Sequence, residues 1–128
     1  MICLKSLIIA KPLVLNKNQL GKIITAIEEK NLKIIGSKEM LLDVCNYKKR
    51  LAKETDPTKR KVLEEQLRVP CILIAVEGNE AISAGKELAQ AFGELLHVSS
   101  SQEIAKYELN RFFKKQELMS FEKVLDWV

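Results

Sequence analysis

Apolar positions along the chain follow two rhythms, and each rhythm predicts an element. Residues 6–10 form a short β-type run that Lys11-Pro12 stops, because proline donates no ladder bond and pushes the residue before it toward extended geometry. Leu20, Ile23, Ile24 and Ile27 fall at i, i+3, i+4 and i+7, one face of a helix, with Asn16 or Asn18 placed to cap it. Residues 32–42 read as a second strand, weakened or bulged near Gly36. Two short helices follow over 43–53 and 57–68: Asp43 caps the first, Thr55-Asp56 makes the turn, and Pro57 suits the first turn of the second.

The run 71–76 (Cys-Ile-Leu-Ile-Ala-Val) is continuously apolar, the pattern of a core strand that is covered on both faces or at least central. Ile82, Gly85, Leu88, Ala89 and Phe92 then give helical spacing over 79–92, and residues 94–98 make a brief last strand. Ser100-Ser101-Gln102-Glu103 reads as a capping box that opens a helix running to about Phe113. This order folds most simply as an α/β (α+β) ferredoxin-like split βαβ unit. Its sheet is antiparallel, with helices on one face and a helical hairpin inserted.

Length sets the scale: 128 residues suit a single domain over 1–128, with no repeat or linker to divide it. Hydrophobic residues at 47% and charged ones at 30% exclude a disordered tail, and no apolar run approaches bilayer-spanning length. The first residues lack the apolar core of a secretory signal, so the expected location is cytoplasmic or an organelle lumen, with the cytoplasm preferred and no membrane partner. Cys3, Cys45 and Cys71 form no CxxC and fit no zinc spacing, which leaves three reduced thiols. A net charge of +4, with a pI near 9.0, is modest for a nucleic-acid binder and suits a small anionic ligand. An RNA-binding sheet of this topology is disfavoured, because the core strand lacks stacking aromatics.

Chemistry concentrates around the only histidine, His97, at the end of an apolar strand just before a helix start. A helix N-terminus there would keep the ring neutral and favour an anion beside it; a partly buried structural histidine is the plainer meaning. Glu108 shares a helix face with Ala105 and Phe112, so its carboxylate points to the buried side and needs a partner: His97, or else Arg111 or Lys115 along the helix. Lys11, at the end of the first strand, is placed to neutralise phosphates, although a surface lysine before proline is commoner. Lys48, Lys49, Arg50, Lys53, Lys59, Arg60 and Lys61 make the hairpin basic, either as solvated charge or as a face for an anionic partner. GxxxxGK[ST], GxGxxG and HExxH are all absent, so phosphate binding through a glycine-rich loop and a zincin-type metal site are excluded.

These residues carry a resemblance. Leu7 to Pro12, Gly21 to Ile24, Leu32 to Gly36, Tyr47, Pro70 to Gly78, and Leu96-His97-Val98-Ser99-Ser100-Ser101 come in the order found in nucleoside diphosphate kinases. Glu103, Ala105, Glu108, Phe112-Phe113 and the tail through Trp127 keep that family's spacing, so the similarity covers nearly the whole chain.

The resemblance implies ping-pong transfer of a γ-phosphate from a nucleoside triphosphate to a nucleoside diphosphate through phospho-His97, with Mg2+ bridging the phosphates. It implies that Lys11 contacts the transferring phosphate, Glu108 orients His97, Ser99 supports that contact and Tyr47 lines the site. Lys86 stands where the family has a phosphate-binding arginine, and Glu94 where it has an asparagine near the sugar. The family's long loop before the histidine, which brings a threonine and an arginine to the phosphates, has almost no counterpart here. Its loss removes contacts used in higher assemblies and implies a homodimer. It also motivates the alternative of a catalytically weak or inactive member that acts as a nucleotide-binding or oligomeric interaction module.

Overall fold

The computed structural model describes residues 4–12, 18–42 and 47–118, without the side chains of Tyr47 and Gln66. Strand β1, Leu4–Ala10, is buried from Ser6 onward and pairs on both sides. Helix α1, Leu20–Glu29, buries Ile23 and Ile27. Its N-cap is Gln19, whose side chain makes no capping bond to the helix, while Asn18 takes a φ of 55°, a left-handed turn that asparagine tolerates well. The alternative cap, Asn16, lies outside the described residues, as do Cys3, Cys45 and the expected hairpin start at Asp43.

Strand β2, Lys33–Met40, carries the expected irregularity: its register against β3 shifts between Ile34 and Gly36. The hairpin is α2, Tyr47–Lys53, and α3, Pro57–Arg68. Asp56 caps α3 by accepting from the Thr58 N–H at 3.0 Å. Arg60 donates to the carbonyls of Leu51 at 2.7 Å and Glu54 at 3.0 Å, so one cation of the basic run is spent closing the end of α2. Strand β3, Cys71–Gly78, then leads through α4, Ala81–Phe92, and a 3-10 turn, Gly93–Leu95, into β4, Leu96–Val98. Helix α5, Gln102–Phe112, and a 3-10 turn, Lys115–Glu117, complete the described chain.

The sheet order is β2-β3-β1-β4, every pair antiparallel, which is the ferredoxin-like arrangement expected. The helices, however, cover both faces rather than one. Alternation along β1 sends Ile8 and Ala10 to a core with Ile23, Ile27, Ala84 and Leu88 of α1 and α4; Leu7 and Ile9 join Leu73, Leu109 and Phe113 under α5. A strand that is apolar at every position needs a partner on each side, and α5 is the one that the one-face expectation left unassigned.

The start of α5 also differs by one residue. Ser101 is the N-cap and accepts from the Ile104 N–H at 3.2 Å, so Glu103 does not close a box with Ser100.

Candidate functional site

The register of β1 against β4 pairs Ile9 with His97 and Ile8 with Val98. His97 therefore shares the face of Leu7 and Ile9, the face under α5, while Leu96 and Val98 pack with the opposite core. Ser99 continues the ladder, its N–H donating to the Leu7 carbonyl at 3.1 Å. Two residues beyond His97 on the strand, it lies on the same side of the sheet.

Glu108 faces both from the middle of α5. Its Oε1 accepts from the Ser99 hydroxyl at 2.8 Å, and its Oε2 lies 3.2 Å from His97 Nε2. The Leu7 N–H donates in turn to the Ser99 hydroxyl oxygen at 3.2 Å. Ser99 is only 1% exposed and the Glu108 side chain 15%, whereas the His97 ring is 46% exposed. A carboxylate accepts only, so Nε2 donates and the neutral ring keeps its lone pair on Nδ1. A half-exposed imidazole is thus held at one nitrogen and left open for chemistry at the other.

The N-terminus of α5 is not the origin of this arrangement. Gln102 donates to the Lys5 carbonyl at 3.3 Å, which puts that helix end four residues up β1 from Ile9, roughly 13 Å at strand spacing. His97 meets α5 at Glu108 instead, so a carboxylate sets the orientation of the ring and the helix-terminus field is a remote influence.

A cavity of about 560 Å³ opens beside His97, lined on α5 by Ile104, Tyr107, Glu108 and Arg111 and closed by Ile9, Leu42 and Phe112. The Lys11 N–H donates to the Leu95 carbonyl at 3.0 Å, one rung beyond the Ala10–Leu96 pair, so alternation puts Lys11 on the His97 face. Lys86 is exposed on α4, which packs against the other face, and Glu94 is exposed in the 3-10 turn before β4. Lys11, Lys86 and Glu94 are not among the cavity's lining residues, and Tyr47 opens α2 with its side chain outside the described set. Sequence reasoning singled out His97, Ser99 and Glu108, which the fold brings together. It missed Ile104 and Tyr107 as lining residues, and treated Arg111 only as a possible partner for Glu108. Their i, i+3, i+4, i+7 spacing through Glu108 was the available signal.

The family model described as "Nucleoside diphosphate kinase" matches residues 5–94, well over half of the chain. The chain belongs to the nucleoside diphosphate kinase family. Relatives named nucleoside diphosphate kinase include one from Thermococcus kodakarensis, 28% identical over 146 aligned positions that cover 96% of this chain and 84% of that protein. Another, from Methanobrevibacter smithii, is 29% identical, covering 94% of this chain and 93% of its own. Among solved structures, a nucleoside diphosphate kinase family protein from Babesia bovis superposes with a TM-score of 0.68 at 23% identity, over 97% of this chain and 98% of its own. A nucleoside-diphosphate kinase from Borrelia burgdorferi, described as a transition-state mimic with bound vanadate and ADP, gives 0.64 at 19% identity, over 94% and 93%. The family match ends at residue 94, just before the segment that carries His97, Ser99 and Glu108.

Proposed function

We propose that the protein is a phosphotransferase that moves the γ-phosphate of a nucleoside triphosphate to a nucleoside diphosphate through phospho-His97. The observation that carries this reading is the chain from the Leu7 N–H through the Ser99 hydroxyl and Glu108 to His97 Nε2, which commits one ring nitrogen and frees Nδ1. In the first half-reaction the Nδ1 lone pair forms a bond to the γ-phosphorus while the bond from that phosphorus to the β-phosphate oxygen breaks, releasing the diphosphate. The proton on Nε2 stays in the Glu108 hydrogen bond, so the carboxylate offsets the positive charge that the ring gains. A nucleoside diphosphate then takes the phosphoryl group back by the reverse displacement.

Lys11 contributes its ammonium charge to the phosphates; Tyr47, Lys86 and Glu94 are further nucleotide contacts that the family resemblance assigns, of which Lys86 would have to reach around the sheet from α4 on the opposite face. Among the described residues no group of three His, Cys, Asp or Glu side chains is placed to hold a metal ion. Mg2+, which the family resemblance implies, would come with the substrate, carried in by the nucleotide phosphates and screening their charge. Among the described residues no helix is long and apolar enough to cross a membrane. Separately, the reading carries with it a cytoplasmic location and a homodimer, the second of which a mass measurement in solution checks.

The test is incubation with γ-labelled ATP and Mg2+, followed by acid treatment and a chase with a nucleoside diphosphate. Acid-labile label that leaves with the acceptor, and is missing in His97→Ala, is the expected result. Undiminished label on His97→Ala would sink the reading. Nucleotide binding without label would leave only the non-catalytic module.

A further inference from the structure

The four α5 residues on the cavity wall, Ile104, Tyr107, Glu108 and Arg111, form one stripe at i, i+3, i+4 and i+7. Glu108 is committed to Ser99 and His97, which leaves Arg111 as the one cation among the described lining residues. Its guanidinium carbon sits 5.3 Å from the Phe112 ring centroid, and among the described residues no carboxylate pairs with it. Stacking on an aromatic face orients the planar fork while leaving its N–H donors free for a bidentate acceptor. Beside it, Tyr107 is 64% exposed and Ile104 45%, an apolar pair with no cover among the described residues. One helix face thus presents a cation, an aromatic ring and an aliphatic wall around a half-exposed histidine.

We propose that α5 itself binds the nucleotide at His97, with Arg111 taking the phosphates and Tyr107 and Ile104 taking the nucleoside. The proposal rests on His97 as the phosphoryl acceptor, and it explains how a chain with almost no segment between α4 and β4 holds a polyphosphate there. The charges complement: a nucleoside diphosphate is a polyanion attached to an apolar, stackable base, and the stripe offers Ile104 and Tyr107 on one side of the Glu108–His97 pair and the Arg111 cation on the other. Arg111 lies one turn beyond Glu108, a rise of about 5 Å, which separates the incoming anion from the carboxylate that orients the ring.

The experiment compares binding of ADP with Mg2+, and of inorganic tripolyphosphate, by titration calorimetry on the full chain. The proteins are wild type, Arg111→Ala, Arg111→Lys, Tyr107→Ala and, as a charge-matched control on the same helix, Lys106→Ala. Loss of a charge-assisted contact predicts roughly tenfold or more weakening of both ligands in Arg111→Ala. Arg111→Lys should be intermediate, because charge survives and the fork does not. Tyr107→Ala should weaken ADP by about fivefold or more while leaving tripolyphosphate unchanged. Lys106→Ala should match wild type.

Arg111 is exposed, so its removal leaves the fold intact, and circular dichroism verifies this. Equal ADP affinity in wild type and Arg111→Ala, or no ADP binding by wild type, overturns the proposal. Labelling with γ-labelled ATP in parallel separates the two readings. Labelled wild type with binding independent of Arg111 removes this site alone; absent label with Arg111-dependent binding keeps the site and removes the phosphotransfer.

Discussion

The Ser99 hydroxyl has one proton, and two acceptors lie within reach: Glu108 Oε1 at 2.8 Å and the Leu7 carbonyl at 3.5 Å. The shorter and charged acceptor wins, so the hydroxyl oxygen is free to receive the Leu7 N–H. Ser99 therefore joins the central strand to the carboxylate that orients His97, and it does so fully buried. Ser99→Ala leaves a buried N–H and a carboxylate oxygen short of a partner at once, an expected loss of about 1–3 kcal/mol in urea unfolding. Phosphotransfer should fall with it, because Glu108 gains freedom and His97 Nε2 loses its fixed acceptor. A Ser99→Ala protein as stable and as active as wild type would show that Glu108 is held by something else. At this scale the sequence was informative about identity: His97 is the lone histidine, and Glu108 sits at a position whose neighbours Ala105 and Leu109 are buried. It was silent on the donor, because the hydrogen bond between Leu7 and Ser99 spans most of the chain and no local pattern encodes it.

Helix α5 carries the site, and its stability depends on the end farthest from the chemistry. Ser101 satisfies the Ile104 N–H, one of the four donors that a helix start leaves open, while Ala105 and Leu109 supply the buried face. Removing that cap with Ser101→Ala is expected to lower stability by about 1 kcal/mol and to speed amide exchange at Ile104 and its neighbours before other elements respond. Uniform exchange across the sheet and α5 would instead mean that the helix opens only with the whole protein. Three consecutive serines made the helix start legible but not its cap, since each hydroxyl is chemically equivalent until the backbone selects one. The hairpin was easier to read. Asp56-Pro57 leaves one good solution, a capped helix with proline in its first turn, and α3 adopts it.

At the scale of the whole molecule, an apolar run states that a strand is covered twice but not by which helices, and for that reason the sheet order was readable while the layer formed by α5 was not. That layer is fixed at its far end by the turn Lys115–Glu117, which reaches back to the edge strand β2. Lys38 of β2 donates to both Glu117 carboxylate oxygens at 3.2 Å and lies 5.0 Å from the Phe113 ring centroid. Gly36 makes room, since a Cβ there would come within 2.8 Å of the Glu117 carbonyl oxygen. The Lys114 N–H donates to the same carboxylate at 2.7 Å; this bond first, and Lys38 second, hold the Glu117 carboxyl below its ordinary value.

A folded-state value below the unfolded one means stability that is fully present above the ordinary carboxylate range and is lost as pH falls through the folded value. The difference in stability between wild type and Glu117→Gln should therefore stay constant from neutrality to about pH 5 and shrink toward zero in more acid solution. Added salt should reduce only the Lys38 part of that difference, because the backbone bond is short and local. Parallel urea titrations of the two proteins across this range, at low and high salt, measure both effects. A difference independent of pH would show that the turn is held to β2 by Phe113 and Leu118 packing alone, with the Lys38–Glu117 pair as a bystander.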